Sequence, residues 1–317
     1  MSAYNGARTL RESVESILAQ QGVEMELIVV DDGSTDDTLA ILSEAAATDS
    51  RMRVLTQPNA GITAGLILGC ANARGKFIAR QDAGDRSLPG RLALQCSALE
   101  ADRELSFVSC WTEVCGPRQE FLSTEKGTGR AARPTDIIAE DEVSGVIDGP
   151  SHHGSVMFRR DRYELAGGYR AQFYFGQDWD LWYRLAEGGK FQMVENVLYR
   201  APVTPDGLSG RYRDAQNAIG KLAKGAMLRR RRGQDENDLL GEAAAIRPGP
   251  NSRVSAAPSA DGLYFIAEQL RRNGDERAMR YFRETIATAP TDIRPWVRMA
   301  QFGAAKIFRR MNGAKRR

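Results

Sequence analysis

The amino-acid sequence predicts an α/β protein whose mostly parallel sheet is flanked by helices. Short apolar runs at 26–30, 53–56 and 76–80 have the length and composition of buried parallel strands. Residues 8–20 carry apolar side chains at helical spacing, and 36–47 follow a threonine suited to a helix N-cap. Strands that alternate with helices in this way are typical of a doubly wound parallel sheet.

The first strand of this sheet is expected to be truncated in the given sequence. The chain begins Met1-Ser2-Ala3-Tyr4-Asn5-Gly6, which has the pattern of a strand end and the loop after it. A sheet of this type needs an apolar first strand that is paired on both sides. We therefore hypothesise that the true start lies upstream and that Met1 is an internal methionine of that strand.

The motif-bearing part of the sequence ends near residue 212, so we predict a first domain over 1–212. Residues 213–260 are expected to form a helical and linker segment, since 246–260 contain three prolines and several serines. Residues 261–317 are expected to form a C-terminal helical extension, in which a hairpin precedes a basic amphipathic helix at 293–312. The sequence leaves two interpretations of that helix open, packing on the hairpin or contact with a membrane surface.

The charge and cysteine content limit the class of protein. The formal net charge of +3 is too small to indicate nucleic acid as a partner, and the run Arg229–Arg232 is interpreted as a solvated face. The four cysteines form no Cys-x-x-Cys pair, which favours reduced thiols. We see neither a signal-peptide pattern nor about 18 consecutive apolar residues. We therefore expect a cytoplasmic protein, with peripheral contact at the inner face of the plasma membrane as a further option.

Three acidic clusters follow predicted strands or begin predicted helices, where an open α/β sheet binds its ligands. They lie at 30–36, 80–85 and 176–182. Each of them alone is also explained by a solvated turn or a helix cap, because Asp, Gly and Ser are common in both. In the second cluster, two carboxylates three residues apart on a tight loop can face one divalent cation, which would neutralise a departing diphosphate.

The third cluster contains a candidate general base. Asp178 lies among aromatic residues at the expected start of a helix, and partial burial there raises the proton affinity of a carboxylate. The aromatic side chains can also pack against a sugar ring. A plain helix N-cap is the alternative role for Asp178 and for Asp180.

Taken together and in this order, the clusters resemble a known family. The resemblance is to the family 2 inverting glycosyltransferases, which have the Rossmann-like GT-A fold, and it covers residues 1–212. It is carried by Tyr4-Asn5-Gly6, Val30-Asp31-Asp32-Gly33-Ser34-Thr35-Asp36, Ala79-Arg80-Gln81-Asp82-Ala83-Gly84-Asp85 and Gln177-Asp178-Trp179-Asp180-Leu181-Trp182. It implies an enzyme that moves a sugar from a nucleoside diphosphate to an acceptor hydroxyl, with inversion at the anomeric carbon.

The resemblance also implies roles for individual residues. Asp178 matches the acid that deprotonates the acceptor hydroxyl. The residues implied to bind the donor nucleotide are Asn5, Asp31, Asp32 and Asp82. The residues implied on the acceptor side are His153, Trp179 and Asp180.

A divalent cation, Mn²⁺ or Mg²⁺, is implied as a cofactor, with Asp82 and Asp85 as its ligands. The sequence departs from the family pattern here, because Gly84 stands where the middle acid of Asp-x-Asp-Asp is usual. Either Asp85 substitutes for that acid, or basic groups such as Arg80 and Arg200 neutralise the donor diphosphate instead.

The implied partners are a nucleotide-sugar donor, with a UDP-sugar preferred, and a saccharide or lipid-linked acceptor. The expected process is the synthesis of a cell-surface polysaccharide or glycolipid, with acceptor recognition in 111–150 and 202–211. Two alternatives are left open. A sugar-phosphate nucleotidyltransferase would need a Gly-rich phosphate loop after its first strand, and a non-catalytic degenerate transferase acting as a binding module is supported only by Gly84 and the truncated first strand.

Overall fold

The computed structural model describes residues 1–127, 149–205, 212–248 and 258–302. The chain divides into two units. The first comprises Met1–Glu113, Thr124–Ala201 and Asp214–Pro248, and the second comprises Val114–Ser123, Pro202–Arg213 and Gly249–Arg317. All of the predicted site residues belong to the first unit.

The first unit contains a three-stranded parallel sheet formed by β1 (Ser2–Ala3), β2 (Leu27–Asp31) and β3 (Met52–Thr56). All five residues of the central strand β2 are buried, as expected for a strand covered on both faces. Helices α1 (Leu10–Leu18) and α2 (Thr38–Thr48) connect these strands. The predicted alternation of parallel strands and helices is therefore confirmed in this part of the chain.

Helix α1 follows from the spacing of its apolar residues. Leu10, Val14 and Ile17 lie four and three residues apart, so they share one face of the helix. They belong to one buried cluster with Leu27 and Val29 of β2. The first helix and the sheet thus share one apolar core, which fixes where the strand ends.

A second sheet contains β4 (Phe77–Ala79), β5 (Arg86–Ser87), β6 (Leu105–Cys115), β8 (Met157–Arg159) and β9 (Lys190–Pro202), and β7 (Phe121–Glu125) follows β6 in the chain. Strand β8 is antiparallel to β4 and β6, and β9 is antiparallel to β5. The parallel arrangement that the sequence predicts thus applies to β1–β3 and does not extend to β4. Between β4 and β8 the described chain includes β5, a helix at Arg91–Ala101, β6 and β7, so these two strands are not joined by the strand–helix–strand crossover that is typical of parallel neighbours.

A cavity of about 550 Å³ lies between residues of β2 and β4. At one side of it is Met1, whose amino group donates a hydrogen bond to the carbonyl of Ile28 at 2.9 Å. The apolar side chains in its wall include Leu27, Leu66, Phe77 and Ile78. Strand β1 has only two residues, Ser2 and Ala3. None of the predicted site residues lines this cavity, so it is not the candidate donor site.

Four further helices lie in the described part of the first unit before residue 189. They are α3 (Ile62–Ala71), α4 (Arg91–Ala101), α5 (Arg160–Leu165) and α6 (Gln177–Gly188). The apolar face of α6 carries Leu181, Trp182 and Leu185, which pack in one buried cluster with Phe158 of β8 and Phe191 of β9. This packing anchors α6, at whose first turn the third acidic cluster lies.

The segment predicted as helix and linker contains α7 (Arg213–Arg231) and α8 (Asn237–Ala245). Both helices group with the first unit almost entirely, while the predicted boundary at residue 212 stays a prediction. Two arginines of the run at the end of α7 are paired with acids of the same unit. Arg229 pairs with Asp238, and Arg230 pairs with Glu187 at 2.9 Å.

The second unit contains a helical hairpin of α9 (Ala260–Arg272) and α10 (Ala278–Thr288). Its core is formed by Leu122, Leu263, Ile266, Leu270, Tyr281 and Phe282. Residues 294–302 are also helical, and the remainder of the predicted amphipathic helix lies outside the described residues. Among the described residues, no helix combines the length and the apolar character that crossing a bilayer requires.

The packing of α6 gives a first test of the fold. Leu181→Ala should lower the free energy of unfolding by about 2–5 kcal/mol, because the side chain is fully buried and its truncation leaves a cavity. The matched control is Leu165→Ala on α5, whose residue is 80% exposed and whose loss should change stability by less than about 0.5 kcal/mol. Denaturant unfolding of the three proteins measures both values. Equal losses would contradict this core.

Candidate active site

The two adjacent aspartates at the end of β2 have different surroundings. Both are buried, but the carboxylate of Asp32 already accepts hydrogen bonds from Gln57 Nε2 at 2.6 Å and from the backbone N–H groups of Ala60 and Gly61 at 2.9 Å each. Asp31 Oδ2 accepts a bond from the N–H of Ser34 at 3.3 Å, whereas Asp31 Oδ1 has no hydrogen-bond partner among the described residues. Asp32 therefore orders the loop at 57–61, and Asp31 has acceptor capacity left for a ligand.

Asn5 connects the loop after β1 to the loop after β2. Its side-chain carbonyl accepts the N–H of Thr35 at 2.8 Å, and its own N–H donates to Ser34 Oγ at 3.0 Å. Asn5 has a φ of 49°, in the left-handed region that Asn tolerates better than most residues. These contacts make Asn5 a loop-ordering residue, and its predicted contact with the donor stays a prediction.

The second acidic cluster is organised by a buried arginine. Arg80 forms an ion pair with Asp82 and donates to the carbonyl of Gln81 at 2.9 Å. Burial raises the pKa of Asp82, but nearby groups, of which Arg80 contributes most, outweigh it and lower the pKa to about 2. Arg200, the other proposed counter-charge, forms an ion pair with Glu113 at 2.7 Å. Arg80 is thus already used in the protein to fix Asp82.

The backbone explains why an acid is missing from the middle of this cluster. Gly84 has a φ of 101°, a conformation that residues with a side chain rarely adopt. Its N–H donates to Ser13 Oγ at 2.9 Å, and a Cβ at this position would lie 3.4 Å from Thr9 Oγ1. The turn itself therefore selects glycine at this position.

A histidine joins the two aspartates of this loop. His152 Nδ1 lies 3.6 Å from Asp85 Oδ2 and 3.9 Å from Asp82 Oδ2, and one ligand atom from each of the three residues falls within 4.8 Å of the others. Asp85 Oδ2 is buried without a hydrogen-bond partner among the described residues. Burial and the charge of Asp82 raise the pKa of Asp85 well above its usual value. A divalent cation bound here would give Asp85 Oδ2 a partner and would stabilise the charged form of the carboxylates. Two carboxylates and an imidazole nitrogen therefore form a donor set that fits a divalent cation.

The neighbouring histidine has a different role. His153 Nε2 lies 2.9 Å from the hydroxyl of Tyr169 and accepts a bond from Arg80 Nε at 3.3 Å. Burial and then the charge of Arg80 lower the pKa of His153 to about 3, so its ring is neutral. His153 therefore links the Arg80 loop to the segment before α6, and its predicted acceptor contact stays a prediction.

Asp178 lies in the first turn of α6, where the chain enters the helix through Gly176. That glycine has a φ of 62°, and a Cβ there would lie 2.7 Å from Ile219, so no other residue is easily accommodated. Asp178 Oδ1 accepts the N–H of Trp179 at 2.9 Å. Although Asp178 is partly exposed, desolvation raises its pKa to about 6, and the charge of Asp82 also contributes. Asp178 and Asp82 are therefore close enough to interact electrostatically.

The two residues after Asp178 differ in what they offer to a ligand. Trp179 is partly exposed and stands edge-on to Trp182, with ring centroids 5.0 Å apart. Asp180 is fully buried, and its carboxylate is bound by Arg170 Nε at 3.0 Å and by Arg184 Nε at 3.2 Å. Ion pairs with Arg170 and Arg184 engage both oxygens of Asp180, whereas the ring of Trp179 is partly exposed. The predicted acceptor contacts of Asp180 and Trp179 stay predictions.

Two residues that the sequence analysis missed hold the site together. Arg91 is fully buried on α4 and donates to the backbone carbonyls of Arg80 at 2.7 Å and of Gly154 at 2.8 Å. Its guanidinium lies 4.8 Å from the ring centroid of Tyr199, whose hydroxyl accepts the N–H of Asp82 at 3.1 Å. The available signal was Arg91 and Gln95, which are four residues apart and therefore lie on one face of α4, the face that is buried.

The structure thus brings together some of the predicted residues directly and others through intermediates. Asp82 and Asp85 share one loop with His152 beside it, and Asp178 interacts with the charge of Asp82. Asp32 is connected to the region before α6 by Gly61, whose backbone lies against the ring of Tyr174. The predicted acceptor segments are described only at 111–127, 149–150 and 202–205.

Comparison with known sequences identifies the family of the chain independently of the site geometry. The model of Glycosyl transferase family 2 matches residues 1–165. EpsE of Bacillus subtilis (strain 168), which is named as a glycosyltransferase, is 33% identical over 216 residues, or 67% of this chain and 74% of EpsE. A chondroitin synthase of Pasteurella multocida (strain Pm70) is 26% identical over 244 residues, which are 76% of this chain and only 24% of that protein.

Structural comparison agrees on the fold. The mannosyltransferase PcManGT from Pyrobaculum calidifontis, solved with GDP-Man and Mn²⁺, superimposes with a TM-score of 0.54 at 20% identity. The match covers 96% of this chain and 84% of that one. At this identity the similarity establishes a shared fold only. The family match extends over more than half of the chain, so this protein belongs to glycosyl transferase family 2 and is a glycosyltransferase of GT-A fold.

Proposed function

We propose that this glycosyltransferase uses Asp178 as the base in a single inverting displacement at the anomeric carbon of a nucleoside diphosphate sugar. The observation that carries the proposal is the environment of Asp178, a partly exposed carboxylate whose desolvation raises its pKa to about 6 beside the Asp82 loop. Such a group is mostly ionised at neutral pH and is basic enough to accept a proton in the transition state.

The proposed step replaces one bond at the anomeric carbon by another and transfers one proton. The acceptor oxygen forms a bond to the anomeric carbon while the bond from that carbon to the diphosphate oxygen breaks, and the electron pair leaves with the diphosphate. Asp178 takes the proton of the acceptor hydroxyl. Because attack comes from the face opposite the leaving group, as in inverting glycosidases, the configuration inverts and no covalent enzyme intermediate forms.

The donor side of the site is proposed to use Asp31 and the acidic loop. Asp31 Oδ1 offers a buried acceptor to the nucleoside, while Asp32 and Asn5 order the loops around it. A divalent cation held by Asp82 and Asp85 would supply positive charge to the leaving diphosphate. Trp179 offers a ring face against which a sugar can pack.

The partners are proposed from the names of the relatives and from the chemistry of the site. Chondroitin and hyaluronan synthases of Pasteurella multocida are among the relatives, but this chain spans 24% and 20% of their lengths. We propose a UDP-sugar donor, Mn²⁺ or Mg²⁺, and a saccharide or lipid-linked acceptor in polysaccharide or glycolipid synthesis. The proposed location is the cytoplasmic face of the membrane, and four cysteines that form no disulfide fit a reducing compartment.

The two alternative functions receive no support from the comparisons. A nucleotidyltransferase would make a nucleotide sugar from a sugar phosphate and a nucleoside triphosphate, which one incubation with product analysis would detect. A binding module without activity would bind nucleotide but would not release nucleoside diphosphate from any nucleotide sugar tested. The strongest argument for the binding module was Gly84, and the turn geometry now explains that glycine on structural grounds.

Asp178→Asn should lower turnover by roughly 10²–10⁴-fold with little change in donor affinity, because the variant keeps the size of the side chain and removes the base. Asp161→Asn is a matched control, since Asp161 is also the second residue of its helix and accepts the N–H of the next residue at 2.8 Å, but it is exposed. Steady-state kinetics and donor titration measure both quantities. Near-normal turnover in Asp178→Asn would remove Asp178 from the mechanism.

The pKa of Asp178 also predicts the pH dependence. The base works only when deprotonated, and its protonated fraction rises as the pH falls through about 6. We therefore expect kcat/KM to be constant above this pH and to decline tenfold per pH unit well below it. A pH–rate profile of the wild-type enzyme tests this, and an acid limb centred below pH 4.5 would contradict the raised pKa.

The two aspartates after β2 should respond differently to the same substitution. Asp31→Asn should weaken nucleotide binding about 10- to 100-fold with little effect on stability, since it alters an acceptor that the protein does not use. Asp32→Asn should cost about 1–3 kcal/mol of stability, since it disturbs three internal hydrogen bonds. Calorimetric titration with UDP and denaturant unfolding separate the two effects, and the reverse pattern would contradict these roles.

A further inference from the structure

The acidic loop supplies fewer carboxylates to a cation than the family pattern implies. Gly84 has no side chain, and its φ of 101° is unfavourable for a residue that has one. One oxygen of Asp82 is engaged by Arg80, which leaves Oδ2. The loop therefore offers one oxygen from Asp82 and one from Asp85, and a further protein ligand would have to come from another segment.

His152 is the described residue that stands in the right place. Its Nδ1 atom lies 3.9 Å from Asp82 Oδ2 and 3.6 Å from Asp85 Oδ2. Two ligand atoms that each lie about 2.1 Å from one cation are at most about 4.2 Å apart, so both distances are compatible with shared coordination. His152, which precedes the 3₁₀ turn at His153–Ser155, can thus add a nitrogen ligand to the two oxygens of the loop at 82–85.

Two independent features of the side chains support a ligand at this point. Asp85 is only 7% exposed, and its Oδ2 faces His152 without a hydrogen-bond partner among the described residues. His152 Nδ1 accepts the N–H of Gly154 at 3.1 Å, so this nitrogen carries no proton. An unprotonated nitrogen is the form that binds metal, and a cation would replace that hydrogen bond.

We propose that His152 is a metal ligand that compensates for the acid missing at Gly84, so that the cation is held by Asp82, Asp85 and His152. An imidazole nitrogen is a softer donor than a carboxylate oxygen, and Mg²⁺ favours oxygen ligands. The site should therefore select Mn²⁺ over Mg²⁺ more strongly than one built from carboxylates alone. The inference rests on the proposed function in one respect: the cation bound by His152 would be the same cation that binds the donor diphosphate.

The chain has two histidines, which makes a spectroscopic test unambiguous. The full chain is loaded with Mn²⁺, with and without UDP, and pulsed electron paramagnetic resonance detects whether a histidine nitrogen is bound to the metal. We expect a nitrogen coupling in the wild type and in His153→Gln, and none in His152→Ala. Since loss of even an outer partner costs about 10–100-fold in metal affinity, His152→Ala should weaken Mn²⁺ binding at least about tenfold.

A second variant tests selectivity and also guards against misfolding of the first. His152→Asp makes the site all-oxygen, and the ratio of the Mg²⁺ to the Mn²⁺ dissociation constant should fall by roughly tenfold or more relative to wild type. Circular dichroism verifies that each variant is folded. An unchanged ratio, a nitrogen coupling that survives in His152→Ala, or no coupling in the wild type would each overturn the proposal. Sugar transfer by the wild-type enzyme with the cation present tests the transferase function separately, because that reaction can proceed even if His152 binds no metal.

Discussion

The two loops that carry the candidate cation ligands are joined by one buried guanidinium. Arg91 donates to the carbonyl of Arg80, two residues before Asp82, and to that of Gly154, two residues after His152. A buried cation without such partners would be very costly, so the carbonyls and the ring of Tyr199 must stay where they satisfy it. Arg91 thereby holds the segments that carry Asp82 and His152 next to each other.

Much of the fold was predictable from local patterns. The buried strand at Leu27–Asp31 is an apolar run that ends at an acidic turn, and the helix at Leu10–Leu18 has one apolar face. Both signals lie within a few residues, so the sequence shows them directly. The antiparallel pairing of β4 with β8 depends on residues about 80 positions apart, and no local pattern reports it.

The same distinction between local and distant contacts applies to the site. Its position above the strand ends was expected, because the acidic clusters follow strands in the sequence. The different roles of Asp31 and Asp32 could not be expected from the sequence, since the hydrogen-bond partners of Asp32 come 25 to 29 residues later in the chain. The sequence analysis grouped Asp180 with the ligand-binding acids, since its partner Arg170 lies ten residues earlier and outside the motif. Sequence identifies the acids of the site, whereas their partners decide which of them a substrate can reach.

The ion pairs of Asp180 have a consequence for the response of the enzyme to ionic strength. Salt screens charges that face solvent over a Debye length of about 10 Å at 0.1 M, but it acts far less on buried pairs. Asp180 is fully buried between Arg170 and Arg184, so the start of α6 should keep its geometry in concentrated salt. Any loss of rate on adding salt would then report weaker attraction between the enzyme and its charged donor.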